Sequence, residues 1–442
     1  MTLRSLAALR STRVLVWVAL LGSAACARSR PRAADGDVVL IVVDTLRADH
    51  LSLHGYGRAT SPALDALARE AVVYEHATSP GTWTVPSHAA LFTGRWPSFA
   101  GAERVPAARN LALPINPDLP TLAGILGERG LHTAAFVANS TYVARVLGFA
   151  RGFAEFFDHK LGGADGVRTA FVDWLKGRRD RVFVFMNILD PHEPYDPPEP
   201  YRSMFPGRDE QWGTVFTSLV NAGTPITPKM RAHFVSQYDG EIAYTDHVLG
   251  AIFDDLRRAG RWDAALVIVT SDHGELLGEH GLAGHGLAPY EELLHVPLLV
   301  KYPGGVRAGE RVTRRVSTLG VFATVLASVG VQPPPATDSR PLDEEHPVWA
   351  EDIDSRGRRV RVGYEGSSKV VLFSTPGGAQ TELFDLASDP AEVRPLRDGT
   401  AAPRLRAALA TFDAAERPVN RATAPVIDPE REERLRELGY IQ

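Results

Sequence analysis

Residues 37–44, 181–189 and 265–272 are almost continuously apolar, rich in Val, Ile, Leu and Phe rather than alternating with polar side chains. Runs of that kind suit parallel strands covered on both faces. Helical spacing fills the intervals: Ser61–Glu70 and Leu119–Leu126 are short amphipathic segments with capping signals, and Tyr238–Arg258 places Ile242, Leu249, Ile252, Phe253 and Leu256 close to helical periodicity. His295–Val300 reads as a further strand. This alternation from Val38 to about Gly363 predicts the α/β class, with a large, mostly parallel sheet sandwiched by helices. Beyond it, Lys369–Phe373 and Thr381–Leu386, joined through Pro376-Gly377-Gly378, predict a hairpin within a small C-terminal α+β subdomain. The expected boundaries are 37–365 for the large domain and 366–442 for the subdomain and its charged tail, the tail packing as a helix and closing strap.

Two of the buried strands end in acids. Val43 is followed by Asp44, and Ser271 by Asp272-His273-Gly274-Glu275. In an open α/β sheet ligands bind at the carboxyl ends of the strands, so Asp44, Asp272 and His273 are placed to share one metal ion. A single carboxylate in such a position serves equally well as a turn former. Between the two acids in sequence lies Thr84, just ahead of Pro86 and of the apolar Ala89, Ala90, Leu91 and Phe92, with Gly94 as a stop. That arrangement makes Thr84 a cap or near-cap residue, where free N–H groups meet an anion. Alone it reads as a helix cap, but flanked by two strand-end acids it becomes a candidate nucleophile.

The segment Thr82-Trp83-Thr84-Val85-Pro86-Ser87-His88, running on to Thr93-Gly94, resembles the active-site element of the sulfatase family within the alkaline phosphatase superfamily. Thr84 stands where a sulfatase carries the Cys that becomes formylglycine. The order Asp44, Thr84, Asp272-His273 also matches the family's order of metal ligand, nucleophile and metal ligands, and Asp190-Pro191-His192-Glu193-Pro194-Tyr195 resembles its H-x-P-Y signature. The resemblance implies an alkaline phosphatase/sulfatase-like fold and a metal-dependent ester hydrolase. It places His192, and His285 in the region of a substrate-binding Lys, to touch the substrate or protonate the leaving group. His88, in the position of the family's Arg, and Asn139, the polar residue left where a Lys-x-His is missing, become the substrate-binding candidates, while His280 is a possible contributor. His50, His54, His247 and His295 read as structural.

The departures from the family pattern bear on the chemistry. Asp44 is followed by Thr45 rather than a second Asp, and Asp272 by His273, so one negative oxygen ligand is missing. An Asp, Asp, His and alkoxide set favours zinc or manganese, with calcium or magnesium as the alternatives. Oxidising a threonine would give a ketone and no formylglycine, so Thr84 acts as a plain alkoxide. It leaves an ester that water must cleave at its central atom, a route more familiar for phosphoryl than for sulfuryl transfer. The expectation is a hydrolase of phosphodiester, phosphonate or sulfuric esters. Its rivals are a head-group transferase, in which an alcohol replaces the water, and a non-catalytic pseudoenzyme binding an anionic ligand. Retention of Asp44, Asp272 and His273 weighs against the last.

Composition agrees with one large enzyme: 442 residues at 44% hydrophobic content are enough for a sizeable core. The net charge of −5 comes without a basic stripe, which argues against nucleic acid as a partner and leaves a small anionic ester. Nothing in the composition bears on oligomeric state. Arg4, Arg10 and Arg13 precede an uncharged run from Val14 to Ala25, too short to span a bilayer and closed by Ser23-Ala24-Ala25-Cys26. Residues 1–26 thus read as a signal peptide with a loose lipobox and 27–36 as a tether. Lipidation of Cys26 would anchor the chain to a membrane as an exported, periplasm-facing lipoprotein. Since Ala27 and not Asp follows, the outer membrane is the expected destination; ordinary cleavage after an A-x-A-like site is the alternative. Cys26 is the only cysteine, which leaves no disulfide and no formylglycine.

Overall fold

The structure, a computed structural model, describes residues 36–417 except 106–107, 160, 354–356 and 397–401, with Ala422 and Glu433 beyond them. The signal segment, Cys26, the tether up to residue 35 and nearly all of the charged tail to Ile441 lie outside the described residues.

Eight strands form the main sheet: β1 (Val38–Val43), β2 (Val72–Tyr74), β3 (His132–Val137), β4 (Glu155–Phe157), β5 (Val182–Ile188), β6 (Leu266–Ser271), β7 (Leu298–Lys301) and β8 (Arg311–Val312). They lie in the order β8-β2-β7-β6-β1-β5-β3-β4. Only β7 runs against the others, so the sheet is mixed but mostly parallel. The continuous apolar runs have a direct cause in the layering. Val38, Leu40 and Val42 of β1 enter one core together with helices α2 (Thr84–Thr93), α3 (Leu122–Glu128) and α6 (Gly320–Ser328). Val39, Ile41 and Val43 enter the opposite core with α1 (Pro62–Leu67), α4 (Ala164–Leu175) and α5 (Pro228–Arg258). With both faces covered, no position of β1, β5 or β6 is free to be polar on the strength of exposure alone.

Two elements differ from the sequence reading. Helix α5 begins at Pro228, ten residues before the predicted Tyr238, capped by Thr227, whose side chain accepts from Met230 N at 3.2 Å. Its first turns mix Met230 and Phe234 with Lys229 and Arg231, which blurs the apolar stripe, although a Thr followed by Pro is itself a start signal. The strand predicted over His295–Val300 divides at Pro297, which cannot donate to a ladder. His295–Val296 pairs with Ala77–Thr78 outside the main sheet, and Leu298–Lys301 becomes the reversed strand β7.

A separate antiparallel sheet follows, built in sequence order from β9 (Trp349–Ile353), β10 (Arg359–Glu365), β11 (Ser368–Thr375) and β12 (Gly378–Asp385). Helix α7 (Pro403–Ala414) covers it through Leu405 and Leu409. The expected hairpin is β11–β12, but β9 and β10 lie before residue 366, so this sheet starts some way inside the stretch assigned to the large domain. Their alternating polar and apolar residues had merged with the preceding α/β pattern.

Candidate active site

Register brings the two acids level. Val43 pairs with Ser271 on one side and Ile188 on the other, so the next residues, Asp44 and Asp272, leave the sheet side by side. Thr45 turns the chain at φ 55°, the left-handed region, and its N–H reaches Asp272 Oδ1 at 3.3 Å. Asp44, Asp272 and His273 are buried, and each brings one ligand atom within 4.8 Å of the others. His273 Nδ1 donates to the Gly274 carbonyl at 2.8 Å, which leaves the Nε2 lone pair turned toward the carboxylates: 3.6 Å from Asp44 Oδ1 and 3.4 Å from Asp272 Oδ2.

These residues fit a cation. Among the described residues, neither Asp44 Oδ1 nor Asp272 Oδ2 has a hydrogen-bond partner, and unpaired buried carboxylate oxygens are costly. Burial first, and then the charge of Asp44, hold the Asp272 carboxyl well above its usual range, whereas burial and the neighbouring His285 keep the His273 imidazole neutral. A divalent ion between these atoms would satisfy all three.

Thr84 opens helix α2 as its first helical residue, with Trp83 in the extended cap position, and Gly94 closes the helix at φ 65°. The Thr84 hydroxyl lies 3.4 Å from His273 Nε2, so the structure brings Thr84 to the Asp44–Asp272–His273 cluster. His88, one turn on, accepts a different place from the one expected by resemblance. Its Nδ1 bonds the Thr84 carbonyl at 2.9 Å and lies 3.5 Å from Asp272 Oδ2, while Phe92, Phe149 and Phe185 surround the ring. Burial pushes its imidazole down to about 4, so it stands as a neutral support beneath the nucleophile turn. Asn139 likewise is engaged with the protein at both ends of its amide: Nδ2 donates to Asp44 Oδ2 at 2.8 Å and Oδ1 accepts from Tyr142 N at 3.2 Å. Asn187, at the end of β5, accepts from Asn139 N at 2.8 Å and fixes that arrangement.

His192 and His285 do converge, with ring centroids 5.1 Å apart, and His285 lies 4.5 Å from His273. His285 Nδ1 meets Glu275 Oε1 at 3.0 Å. Glu275 joins the cluster without having been singled out by the sequence. It was visible as the fourth residue of Asp272-His273-Gly274-Glu275, but nothing in the sequence gave its burial or its partner. Burial pushes its carboxyl up to about 8 and the His285 imidazole down to about 3, so the two meet as neutral groups. His280 instead stacks on Tyr290 at 3.5 Å, apart from the cluster. His50 is bound to Asp239, and His247 is exposed on α5.

Known proteins share this frame. Arylsulfatase from Clostridium perfringens is 24% identical over 441 aligned positions, which cover 81% of this chain and 89% of that protein. The multifunctional alkaline phosphatase superfamily protein PehA of Trinickia caryophylli is 28% identical over 231 residues, 46% of this chain, and the match spans only 44% of PehA. Among solved structures, the phosphonate monoester hydrolase of Agrobacterium radiobacter superposes with a TM-score of 0.70 at 22% identity, covering 85% of this chain and 94% of that one. The sulfatase family model matches residues 36–331, which include every residue of the cluster described above. The chain therefore belongs to the sulfatase family of ester hydrolases.

Proposed function

We propose that this protein hydrolyses anionic phosphorus esters, phosphodiesters or phosphonate esters ahead of sulfate esters, with Thr84 as a covalent nucleophile. The observation that carries the reading is the Thr84 hydroxyl at the start of α2, 3.4 Å from His273 Nε2, in a chain whose single cysteine is Cys26. Asp44, Asp272 and His273 would hold a divalent metal, with zinc or manganese preferred by the mixed oxygen and nitrogen donor set. When bound, such an ion lowers the pKa of a hydroxyl beside it and offsets charge on the ester oxygens.

The protein's own groups do the rest. Asn139 and the Thr45 and His273 N–H groups orient the two carboxylates. The first turn of α2 presents N–H groups to the substrate anion. Thr84 Oγ1 releases its proton to solvent and bonds to phosphorus as the P–O bond to the alcohol breaks; water then attacks the phosphorus of the Thr84 ester, its oxygen staying on phosphorus and one proton returning to Thr84 Oγ1. At neutral pH the Glu275–His285 pair holds one proton on the carboxyl and one on the imidazole Nε2, and can give up one of them net. If the imidazole gives its Nε2 proton to the leaving oxygen while Nδ1 takes that of Glu275, the leaving alkoxide is neutralised.

This proton is present below about pH 8 and lost above it, following the raised Glu275 carboxyl. On esters with poor alkyl leaving groups, kcat should therefore fall as pH rises past that point, and Glu275→Gln should lower it roughly tenfold to a hundredfold even at pH 7. On nitrophenyl esters, which need no proton, both effects should be small. A flat alkyl-ester profile to pH 9 together with a fully active Glu275→Gln would remove the relay. For location, the basic, apolar and small-residue pattern ending at Cys26 supports a lipid anchor. Cys26→Ser should move the protein from the membrane fraction to the soluble periplasm; a variant that still sediments with membranes would contradict the anchor.

A further inference from the structure

Two loops meet at the cluster: residues 79–84, which lead into α2, and residues 283–291, which carry His285. Both are fastened to the small C-terminal sheet. On the first, Glu351 N of β9 donates to the Pro80 carbonyl at 2.9 Å, Gly81 forms a parallel bridge with Glu351, and the Thr82 hydroxyl donates to Asp352 Oδ2. The Thr82 carbonyl then accepts the Gly286 N–H at 2.9 Å, which ties the residue after His285 to the residue two before Thr84. Gly286 suits that junction. It has φ 65°, and a Cβ there would lie 2.4 Å from Arg104 Nη2. On the second loop, Lys369 Nζ of β11 donates to the Pro289 carbonyl at 2.6 Å and lies 3.1 Å from Glu291 Oε1 and 2.7 Å from Glu392 Oε1.

Thr82, Asp352, Glu351 and Lys369 are all buried. An interface needed only for packing is cheaper to build from apolar groups, because buried charges carry a desolvation cost. Here the polar contacts fall on the two segments whose relative placement the reaction requires, and a shift of about 1 Å in such placement can cost on the order of a hundredfold in rate.

We propose that Asp352 is a positioning residue of the active site: by fixing Thr82, and through the Thr82 carbonyl the Gly286 N–H, the C-terminal sheet sets Thr84 and His285 relative to each other. The inference rests on the roles given above to those two residues. It is tested in the full-length protein, loaded with its metal, by pairing variants that break the bond with one that keeps it. Thr82→Val and Asp352→Ala remove donor or acceptor, whereas Thr82→Ser retains the hydroxyl; Asp352 Oδ1 also accepts from Ile353 N at 2.7 Å, so one amide oxygen would not replace both carboxylate oxygens. Thr82→Val and Asp352→Ala should lower kcat on an alkyl phosphonate ester, whose poor leaving group needs the His285 proton, roughly tenfold to a hundredfold, with KM within about threefold and metal content unchanged. Thr82→Ser should recover most of the loss. Wild-type kcat in Thr82→Val, or equal losses in Thr82→Val and Thr82→Ser, would overturn the proposal. Thr82→Val decides the matter if Asp352→Ala does not fold. Thr84→Ala, measured on the same ester, separates the two failures: an active Thr84→Ala sinks the nucleophile reading, while an inactive one beside an unaffected Thr82→Val sinks only the positioning role.

Discussion

Thr84→Ala should lower kcat on the best ester by about a thousandfold or more while bound metal remains, as expected when a covalent nucleophile is lost. Thr84→Ser should keep far more activity, because it retains the hydroxyl at the head of α2. The reason lies in what surrounds the side chain. Thr84 is fully buried, and its hydroxyl faces His273 Nε2 rather than a backbone group of its own helix. Were capping its purpose, alanine would cost on the order of 1 kcal/mol of stability and leave turnover alone. Wild-type kcat in Thr84→Ala would show that the residue is not the nucleophile.

Asp272→Ala or His273→Ala should lose bound metal and activity together, measured by elemental analysis of the purified protein beside its turnover. Each supplies one of the three side chains clustered there among the described residues, and the remaining two do not close a site. Metal removal by a chelator should lower the unfolding temperature of the wild type, since an ion held by the folded cluster stabilises it by mass action. His247→Ala, exposed on α5, should leave metal and activity unchanged. Wild-type metal content in Asp272→Ala would place the ion elsewhere.

What the sequence disclosed and what it hid follow from the same physics. Strands β1, β5 and β6 were legible because helices cover both their faces, which leaves polar residues only near the carboxyl ends, at Asn187, Thr270 and Ser271. Since the strand ends are also where an open sheet binds ligands, Asp44, Asp272 and His273 could be named from the same runs. Local signals likewise gave the start of α2 near Thr84 and its end at Gly94. The partners of each side chain were out of reach. Asn139 and His88 were substrate-binding candidates by resemblance alone, and their contacts, Asp44 for the one and three phenylalanines around the other, have no trace in the local sequence. Glu275 lay in plain view beside His273, but the role proposed for it depends on His285, ten residues on and brought back by the pairing of Leu276–Leu277 with Ala283–Gly284. The link from Asp352 to Thr82 spans 270 residues and has no local trace.

The central claim is that Thr84 carries the substrate's phosphorus during turnover. Enzyme saturated with metal and with a nitrophenyl phosphonate or phosphodiester, quenched in acid during steady state and digested, should yield the peptide containing Thr84 with the mass of the transferred phosphoryl or phosphonyl group. Fragmentation should place that mass on Thr84, and it should be absent from Thr84→Ala. An unmodified Thr84 peptide under conditions of rapid turnover, together with faster hydrolysis of matched aryl sulfates than of the phosphorus esters, would contradict the account.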